Sequence, residues 1–268
     1  MEKGSLIGQG RTADVYAWGS DRVLKLYQAW MPAAPIEREF AFMKAAGATG
    51  LPVPAADELL QQEGRMGIVM ERIQGPSMLK VISTQPWKAS ALTRQLAELH
   101  VQMHACILPE GSYTQREQIQ RGIEWAKALP PEQKGPILAR LQTLPEGSAL
   151  CHGDYHPDNV ILTARGPVII DWLTGARGHP LGDAARTSLL FTTGGMPPNV
   201  TVFTRLLINT SRLWLHSIYM KRYRALARAS REEIEAWRLP LLAARLAEVD
   251  NYPQETELIL KQMASISK

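Results

Sequence analysis

The stretch CHGDYHPDNV at Cys151–Val160, running into the apolar Val168-Ile169-Ile170 and then Asp171-Trp172, restricts this chain more than any other segment. His152, Asp154, His156, Asp158 and Asn159 crowd into eight positions. Three readings compete: a metal cluster, a polar surface turn, or a carboxylate-centred loop that moves a proton. The rest of the chain must decide among them.

The metal reading meets obstacles at once. His152, Asp154, His156 and Asp158 alternate and would share one face of a strand, but Gly153 and Pro157 spoil a regular strand and Pro157 argues for a turn. A dinuclear hydrolase would need further histidines, and those left are His100, His104, His179 and His216. His100 and His104 have the i, i+4 spacing of a zinc-binding helix, yet Val101 stands where its general-base glutamate is required. They read instead as the polar edge of a helix stripe. A surface turn, for its part, leaves the following apolar VIID unexplained.

Phosphoryl transfer accounts for more. It needs a carboxylate to orient and deprotonate a hydroxyl, oxygen ligands for Mg²⁺, and a cation on the nucleotide phosphates. Asp154 and Asn159 are five apart, the base-to-ligand spacing of H-R-D-x-x-x-x-N. Asp171 ends the apolar strand as the aspartate of D-F-G does, and adds the hard anionic oxygen that Mg²⁺ prefers. Upstream, Gly8-Gln9-Gly10-Arg11-Thr12-Ala13-Asp14-Val15 matches a glycine-rich strand turn, with Ala13 in place of its third glycine. Val23-Leu24-Lys25-Leu26 then sets a lysine between apolar neighbours in a strand. On the next helix Glu37 and Glu39 compete to pair with it. At about 100° per residue, Glu39 borders the stripe of Ile36, Phe40 and Met43, whereas Glu37 lies well away, so Glu39 is the better partner.

The organisation of the chain agrees. Leu6–Gly10, Asp14–Trp18, Arg22–Tyr27 and Ile68–Glu71 read as strands of a small mixed sheet. A helix is expected at Ile36–Ala46, broken by the glycines and prolines of Gly47–Pro54. Gln74-Gly75-Pro76 marks a crossing point, after which the chain turns helical. Ser90–Cys106 carries Leu92, Leu96, Leu99 and Met103 as a stripe for burial. Val160–Ile170 reads as two short strands around Ala-Arg-Gly-Pro. Beyond Asp183 the chain is helical again, with a capping box at Ser230 and Glu233 opening a helix to about Ala247. The expected class is therefore α+β: a small β-rich lobe at residues 1–73 and a larger α-rich lobe at 74–268.

Composition excludes several alternatives. Apolar residues at 45% and charged residues at 21% suit a packed globular core. No apolar run is long enough for a membrane span, and MEKGSLIGQG lacks a signal-peptide core. Cys106 and Cys151 are too few for a disulfide framework, which suits a reducing cytoplasm. Residues 1–199 hold 19 basic and 19 acidic side chains, and residues 200–268 hold 11 and 7. The excess is too mild for a nucleic-acid surface, and no finger or RNA-binding pattern accompanies it.

GQGRTADVY, VLKLY, IEREF…GLPVP, IVMERIQG, LAELHVQMH, HGDYHPDNV and VIIDW together resemble the aminoglycoside phosphotransferase family. This is the small-molecule branch, with choline kinases, of the two-lobed protein-kinase-like fold. The resemblance implies an ATP- and Mg²⁺-dependent transfer of the γ-phosphate to a hydroxyl of a small molecule. Gly8, Gly10 and Lys25 would hold the phosphates, with Glu39 orienting Lys25. Met70 would line the adenine pocket, with the backbone of Glu71 and Ile73 bonding adenine. Asp154 would be the catalytic base, and Asn159 and Asp171 the magnesium ligands. His156 is left between the transferred phosphate and a structural bond. His152 would tie the loop to the core, and Asp183 would brace a turn or cap a helix. A nucleotide-binding scaffold without turnover is the alternative.

The acceptor pocket is expected in residues 184–268. Glu248, Asp250, Glu255 and Glu257 would suit a polycation; Lys221, Arg222, Arg224 and Arg228 read first as a solvated helix face, and, if they line the cleft, would suit an anionic or neutral hydroxylated metabolite. Trp214, Tyr219 and Trp237 are either stacking residues or core. The oligomeric state is open.

Overall fold

The computed structural model of the chain describes residues 3–193 and 201–266. Two compact units emerge, Met1–Thr84 with Pro157–Gly175, and Gln85–His156 with Ala176–Lys268.

In the first unit, β1 (Lys3–Gln9), β2 (Ala13–Trp18), β3 (Arg22–Tyr27), β4 (Ala56–Gln62) and β5 (Arg65–Glu71) form a sheet in the order β1-β2-β3-β5-β4. Every neighbouring pair is antiparallel, which corrects the mixed sheet expected from sequence. Tight turns join β1 to β2, β2 to β3 and β4 to β5, and turns that short permit only antiparallel pairing. The expectation lacked β4. Its turn, Glu63-Gly64, holds both residues at positive φ (56° and 72°), the twist that matches a two-residue hairpin. Alternation along β3 decides what faces what. Leu24 and Leu26 pack with Trp18 and Val69 into an apolar cluster, while Val23, Lys25 and Tyr27 point to the other face.

Helix α1 (Ala33–Ala48) is longer at both ends than expected. Gly47 does not break it, because a glycine in a final turn costs little. The stop comes at Thr49, whose amide and hydroxyl both donate to the Ala46 carbonyl (3.1 and 2.7 Å), and at Gly50 with φ 81°. Its buried residues are Ile36, Glu39, Phe42, Met43 and Ala46. The buried stripe therefore centres on Glu39 rather than passing beside it, with Phe42 inside and Phe40 only partly covered.

The same unit contains α2 (Met78–Thr84) and an antiparallel ribbon of β7 (Val160–Thr163) and β8 (Gly166–Ile169); the two short strands are expected from sequence, but within the segment 74–268 rather than beside the sheet's own residues. Gly75 lets the chain pass against this ribbon. Its φ is 153°, and a Cβ there would stand 2.1 Å from the Leu162 carbonyl oxygen. Any larger residue must push the two segments apart.

The second unit is helical apart from a short antiparallel pair, β6 (Ala149–Cys151) with β9 (Ala176–Gly178). Its helices are α3 (Ala89–His104), α4 (Gln115–Trp125), α5 (Pro131–Thr143), α6 (Pro180–Thr193), α7 (Val202–Ala227), α8 (Arg231–Glu235), α9 (Arg238–Arg245) and α10 (Pro253–Ile266). Residues 194–200, part of the run expected to be helical after Asp183, lie outside the described residues. On α3, Leu96, Leu99 and Met103 are buried with His100 and His104, and Leu92 is half-buried. Ser230 and Glu233 form the expected capping box, but the helix ends at Glu235 and a new one begins at Arg238. Pro240 explains the break: it has no N–H to bond four residues back, and is tolerated only in the first turn of a fresh helix. Among the described residues, no helix is long and apolar enough to cross a membrane.

Candidate active site

Within the first unit the strand lysine finds two carboxylates. Lys25 Nζ donates to Glu39 Oε1 at 2.7 Å and to Asp171 Oδ1 at 2.8 Å. The Tyr27 hydroxyl donates to the other Glu39 oxygen, so both oxygens of a carboxylate that is 1% exposed have partners. Burial works against the charge on Lys25, but Glu39 foremost, with Tyr27 and Asp171, outweighs it and holds the ammonium well above its usual range. Burial likewise pushes the Tyr27 phenol well up, keeping it a donor.

Asp171 reaches this cluster through an unusual backbone. Its φ is 63°, the left-handed region that aspartate tolerates better than bulkier residues. The preceding Ile170 amide donates to the Asn159 carbonyl at 3.0 Å, which fixes the spacing of the two segments that bear Asn159 and Asp171. Asn159 ends a short 3₁₀ turn from Pro157 and is buried, whereas the Asp171 side chain is 45% exposed. Behind Asp171, Trp172 is fully buried and its indole donates to the Ile169 carbonyl. One carboxylate and one amide are hard oxygen donors, a set that fits Mg²⁺ with water and phosphate oxygens completing its shell.

The glycine-rich stretch is the β1–β2 hairpin itself. Gly8 pairs with Val15, and the Gly10 amide donates to Ala13 O at 2.8 Å to close the turn. Ala13, in place of a third glycine, is buried there without strain. Met70 is buried on β5, and the Glu71 amide donates to the Ala55 carbonyl at 2.8 Å. Ile73 lies just past the strand, in the stretch leading to Gly75.

Asp154 belongs to the second unit, on a loop fastened from behind. The His152 and Gly153 amides donate to the two oxygens of Asp183 at 2.6 and 2.8 Å. His100 Nε2 and His104 Nε2 approach the same carboxylate at 3.0 and 3.3 Å, and their Nδ1 atoms meet the Tyr219 and Tyr223 hydroxyls. Burial drops the His100 pKa to about 3, aided by neighbouring His104, so the ring is neutral and donates. Burial opposes the charge on Asp183, but the His100 and His104 hydrogen bonds hold it well below the carboxylate range. His100, His104 and Asp183 are close enough to suggest metal ligands, yet their polar atoms are spent on this brace. The sequence left Asp183 between bracing a turn and capping a helix; it braces the turn before Asp154.

Arg186, one helical turn further along α6, was missed. Its Nε donates to the Gly153 carbonyl at 3.0 Å and its other end pairs with Glu248 at 2.5 Å. His152 accepts the Asp154 amide through Nδ1 (3.3 Å), and His156 Nε2 lies 3.6 Å from Asp154 Oδ2. Burial opposes ionisation of Asp154, but His156, then Arg186 and His152, hold its carboxyl well below the usual range. It is a carboxylate at any physiological pH, half-exposed and preceded by two clamped peptide groups.

The acidic residues considered for the acceptor pocket are already paired. Glu248 meets Arg186 and Arg245, Glu255 meets Arg245, Asp250 meets Lys127, and Glu257 meets Lys261. In the basic run, Arg222 pairs with Glu98. Lys221 lines two grooves beside α7, one shared with Arg224, Arg231 and Glu235, the other with Arg94, Arg222 and Glu98. Of the aromatic candidates, Tyr219 and Trp237 are core and Trp214 is exposed.

A five-stranded antiparallel sheet with a strand lysine paired to a helix glutamate, and a helical unit carrying the HGD loop, define a protein-kinase-like fold. Solved structures agree. An aminoglycoside-3'-phosphotransferase of type VIII superposes with TM-score 0.59 at 19% identity, covering 91% of this chain and 93% of that one. An amicoumacin kinase in complex with AMP-PNP, Ca²⁺ and Ami superposes with TM-score 0.65 at 14% identity, covering 98% and 87%. Residues 3–226 match the phosphotransferase enzyme family, and the chain belongs to it. Among curated proteins, "Acyl-CoA dehydrogenase family member 11" of Pongo abelii is 29% identical over 182 residues, 59% of this chain. The match spans 23% of that much longer relative.

Proposed function

We propose that the protein transfers the γ-phosphate of ATP, with Mg²⁺, to a hydroxyl group of a small molecule. The observation that carries this reading is Lys25 held between Glu39 and Asp171. A lysine so paired has a fixed position and a permanent charge, which a phosphate clamp needs and a surface lysine lacks. The backbone at Gly8 and Gly10 would cover the phosphates. Met70, the Glu71 carbonyl and the Ile73 amide would receive adenine. Asn159 and Asp171 would hold Mg²⁺, whose charge offsets that of the phosphates. That a kinase of the same fold was solved with AMP-PNP and Ca²⁺ supports nucleotide and dication use. Asp154 would orient the acceptor hydroxyl and take its proton, as its clamped loop and ionised state suit. This reading assigns nucleotide binding to residues 1–73, with catalysis and acceptor binding in 74–268. Two buried free thiols, Cys106 and Cys151, support work in the cytoplasm.

For the acceptor, the paired state of Glu248, Asp250, Glu255 and Glu257 counts against a polycation. Such a ligand would have to displace arginines and lysines already in place. A neutral or anionic polyol, amino-alcohol or sugar derivative suits the segment better. The test is a screen of aminoglycosides, amino-alcohols, sugars and hydroxy acids with MgATP, with products identified by mass. A phosphorylated product that vanishes in Asp154→Asn supports the reading. Slow ATP hydrolysis that no acceptor stimulates would favour a nucleotide-binding scaffold, and an AMP-bearing product would indicate nucleotidyl transfer.

A further inference from the structure

Helix α7 has two apolar faces, and the fold uses one. Its buried residues, Leu215, Tyr219 and Tyr223, all lie in its C-terminal half and pack toward α3 and α6. Counting about 100° per residue from Val202, these three fall at about 220°, 260° and 300°. On the opposite side, Val202, Leu213, Leu206, Phe203, Trp214 and Leu207 fall in order between about 0° and 140°. All six are exposed, from 50% at Trp214 to 86% at Val202. No charged side chain of the helix falls within this arc until Lys221: Arg205, itself exposed, and Arg212, half-buried, fall at about 300° and 280°.

We propose that this face is the interface of a homodimer. Size is the first reason. The six side chains expose on the order of 700 Å² together, taking about 150–250 Å² for a whole aromatic residue and less for an aliphatic one. Monomers rarely show a continuous apolar patch above roughly 300–600 Å². One side of a standard stable interface is about 800 Å². The patch alone supplies most of that.

Self-complementarity is the second reason. A two-fold interface demands that residue i meet j and j meet i. Antiparallel pairing of two α7 helices about Ile208 sets Val202 against Trp214 of the second copy, Phe203 against Leu213, and Leu206 against Thr210. Each bulky residue meets a smaller one, as packed helices require. Within the contact the helix itself presents no charged side chain, although Trp214 borders a groove lined by Arg94, Glu98, Lys221 and Arg222, and the basic stretch from Lys221 onward falls beyond the contact. This assignment is independent of the catalytic reading.

Sedimentation velocity and light scattering on the full chain test it. At about 10 μM, a concentration at which a standard-sized interface is mostly formed, the expected mass is twice the chain's 29.8 kDa. Leu206→Glu with Leu213→Glu should give a monomer with the wild-type circular dichroism spectrum, and dimer affinity should fall at least about 100-fold. Thr210→Arg, at the centre of the contact and fully compatible with a helix, should do the same if the double variant folds poorly. A wild type that stays monomeric overturns the proposal, as does a folded variant that remains dimeric. A monomer that instead co-sediments with phosphatidylcholine vesicles would assign the face to a lipid surface and equally refute the dimer.

Discussion

Replacing Asp183 with asparagine tests what holds the loop before Asp154. The native carboxylate receives four N–H groups: the His152 amide, His100 and His104 at one oxygen, and the Gly153 amide at the other. An asparagine is nearly isosteric but must point an NH₂ group at one of these sets. The cheaper orientation turns the NH₂ toward Gly153 and keeps the three bonds to the carbonyl. One charge-assisted bond is then lost and a buried donor faces a donor. A hydrogen bond to a charged group is worth about 1.5–3 kcal/mol and an orphaned buried donor costs about 1–3 kcal/mol, so roughly 4 kcal/mol should disappear. For a chain of this size the melting temperature should fall by about 10 °C. Differential scanning fluorimetry without nucleotide reads this directly, and leucine at 183 should be worse because it satisfies none of the four donors. A melting temperature for Asp183→Asn within about 2 °C of wild type would refute the claim that this carboxylate carries the loop.

Other outcomes follow from the same geometry. Lys25→Met should abolish the thermal shift given by MgATP in fluorimetry, while Lys25→Arg should restore little, because the pocket between Glu39 and Asp171 fits a compact ammonium. Asp154→Asn should lower turnover by about 10²–10⁴-fold once an acceptor is known, with nucleotide affinity by calorimetry nearly unchanged. Acid should destabilise the fold earlier than carboxylates alone predict. His100 takes up a proton near 6.5 when unfolded but only at about 3 when native. Its contribution is therefore complete above pH 6.5 and declines by about 1.4 kcal/mol per pH unit below it. The depressed Asp183 adds a further loss below about pH 4, in the same direction. Urea midpoints at pH 7, 6 and 5 should fall in sequence, and a flat profile would contradict the assignment. Gly75→Ala should unfold the protein several degrees earlier, since its Cβ would meet the Leu162 carbonyl.

Much of this was readable from the chain because local pattern encoded it. The alternation of Arg22–Tyr27 placed β3 to the residue, and the angular position of Glu39 on its helix selected it over Glu37 before any contact was known. The apolar run ending at Asp171 gave a strand and the residue at its exit. What escaped lay in tertiary distance or in weak turn signals. Asp183 was expected to brace some turn or cap a helix, but no periodicity shows that the turn is the one at Gly153, about thirty residues away, or that Arg186 joins it there. Strand β4 was hidden because Glu58, Gln61 and Gln62 dilute its alternation, although Glu63-Gly64 was a legible hairpin turn. Phe42 displaced Phe40 from the core because the burial direction of α1 was set by Glu39 and its lysine rather than by the most hydrophobic arc. The pairing of the C-terminal carboxylates with arginines and lysines could not be foreseen from charge counts.

The left-handed backbone at Asp171 has a practical corollary. Asparagine shares aspartate's tolerance of that conformation, whereas alanine, valine or leucine there would distort the chain as well as alter its chemistry. Asp171→Asn is thus the substitution that isolates the loss of one negative charge from any loss of shape, and under the proposed function it is the variant with which to look for nucleotide and acceptor bound together without turnover.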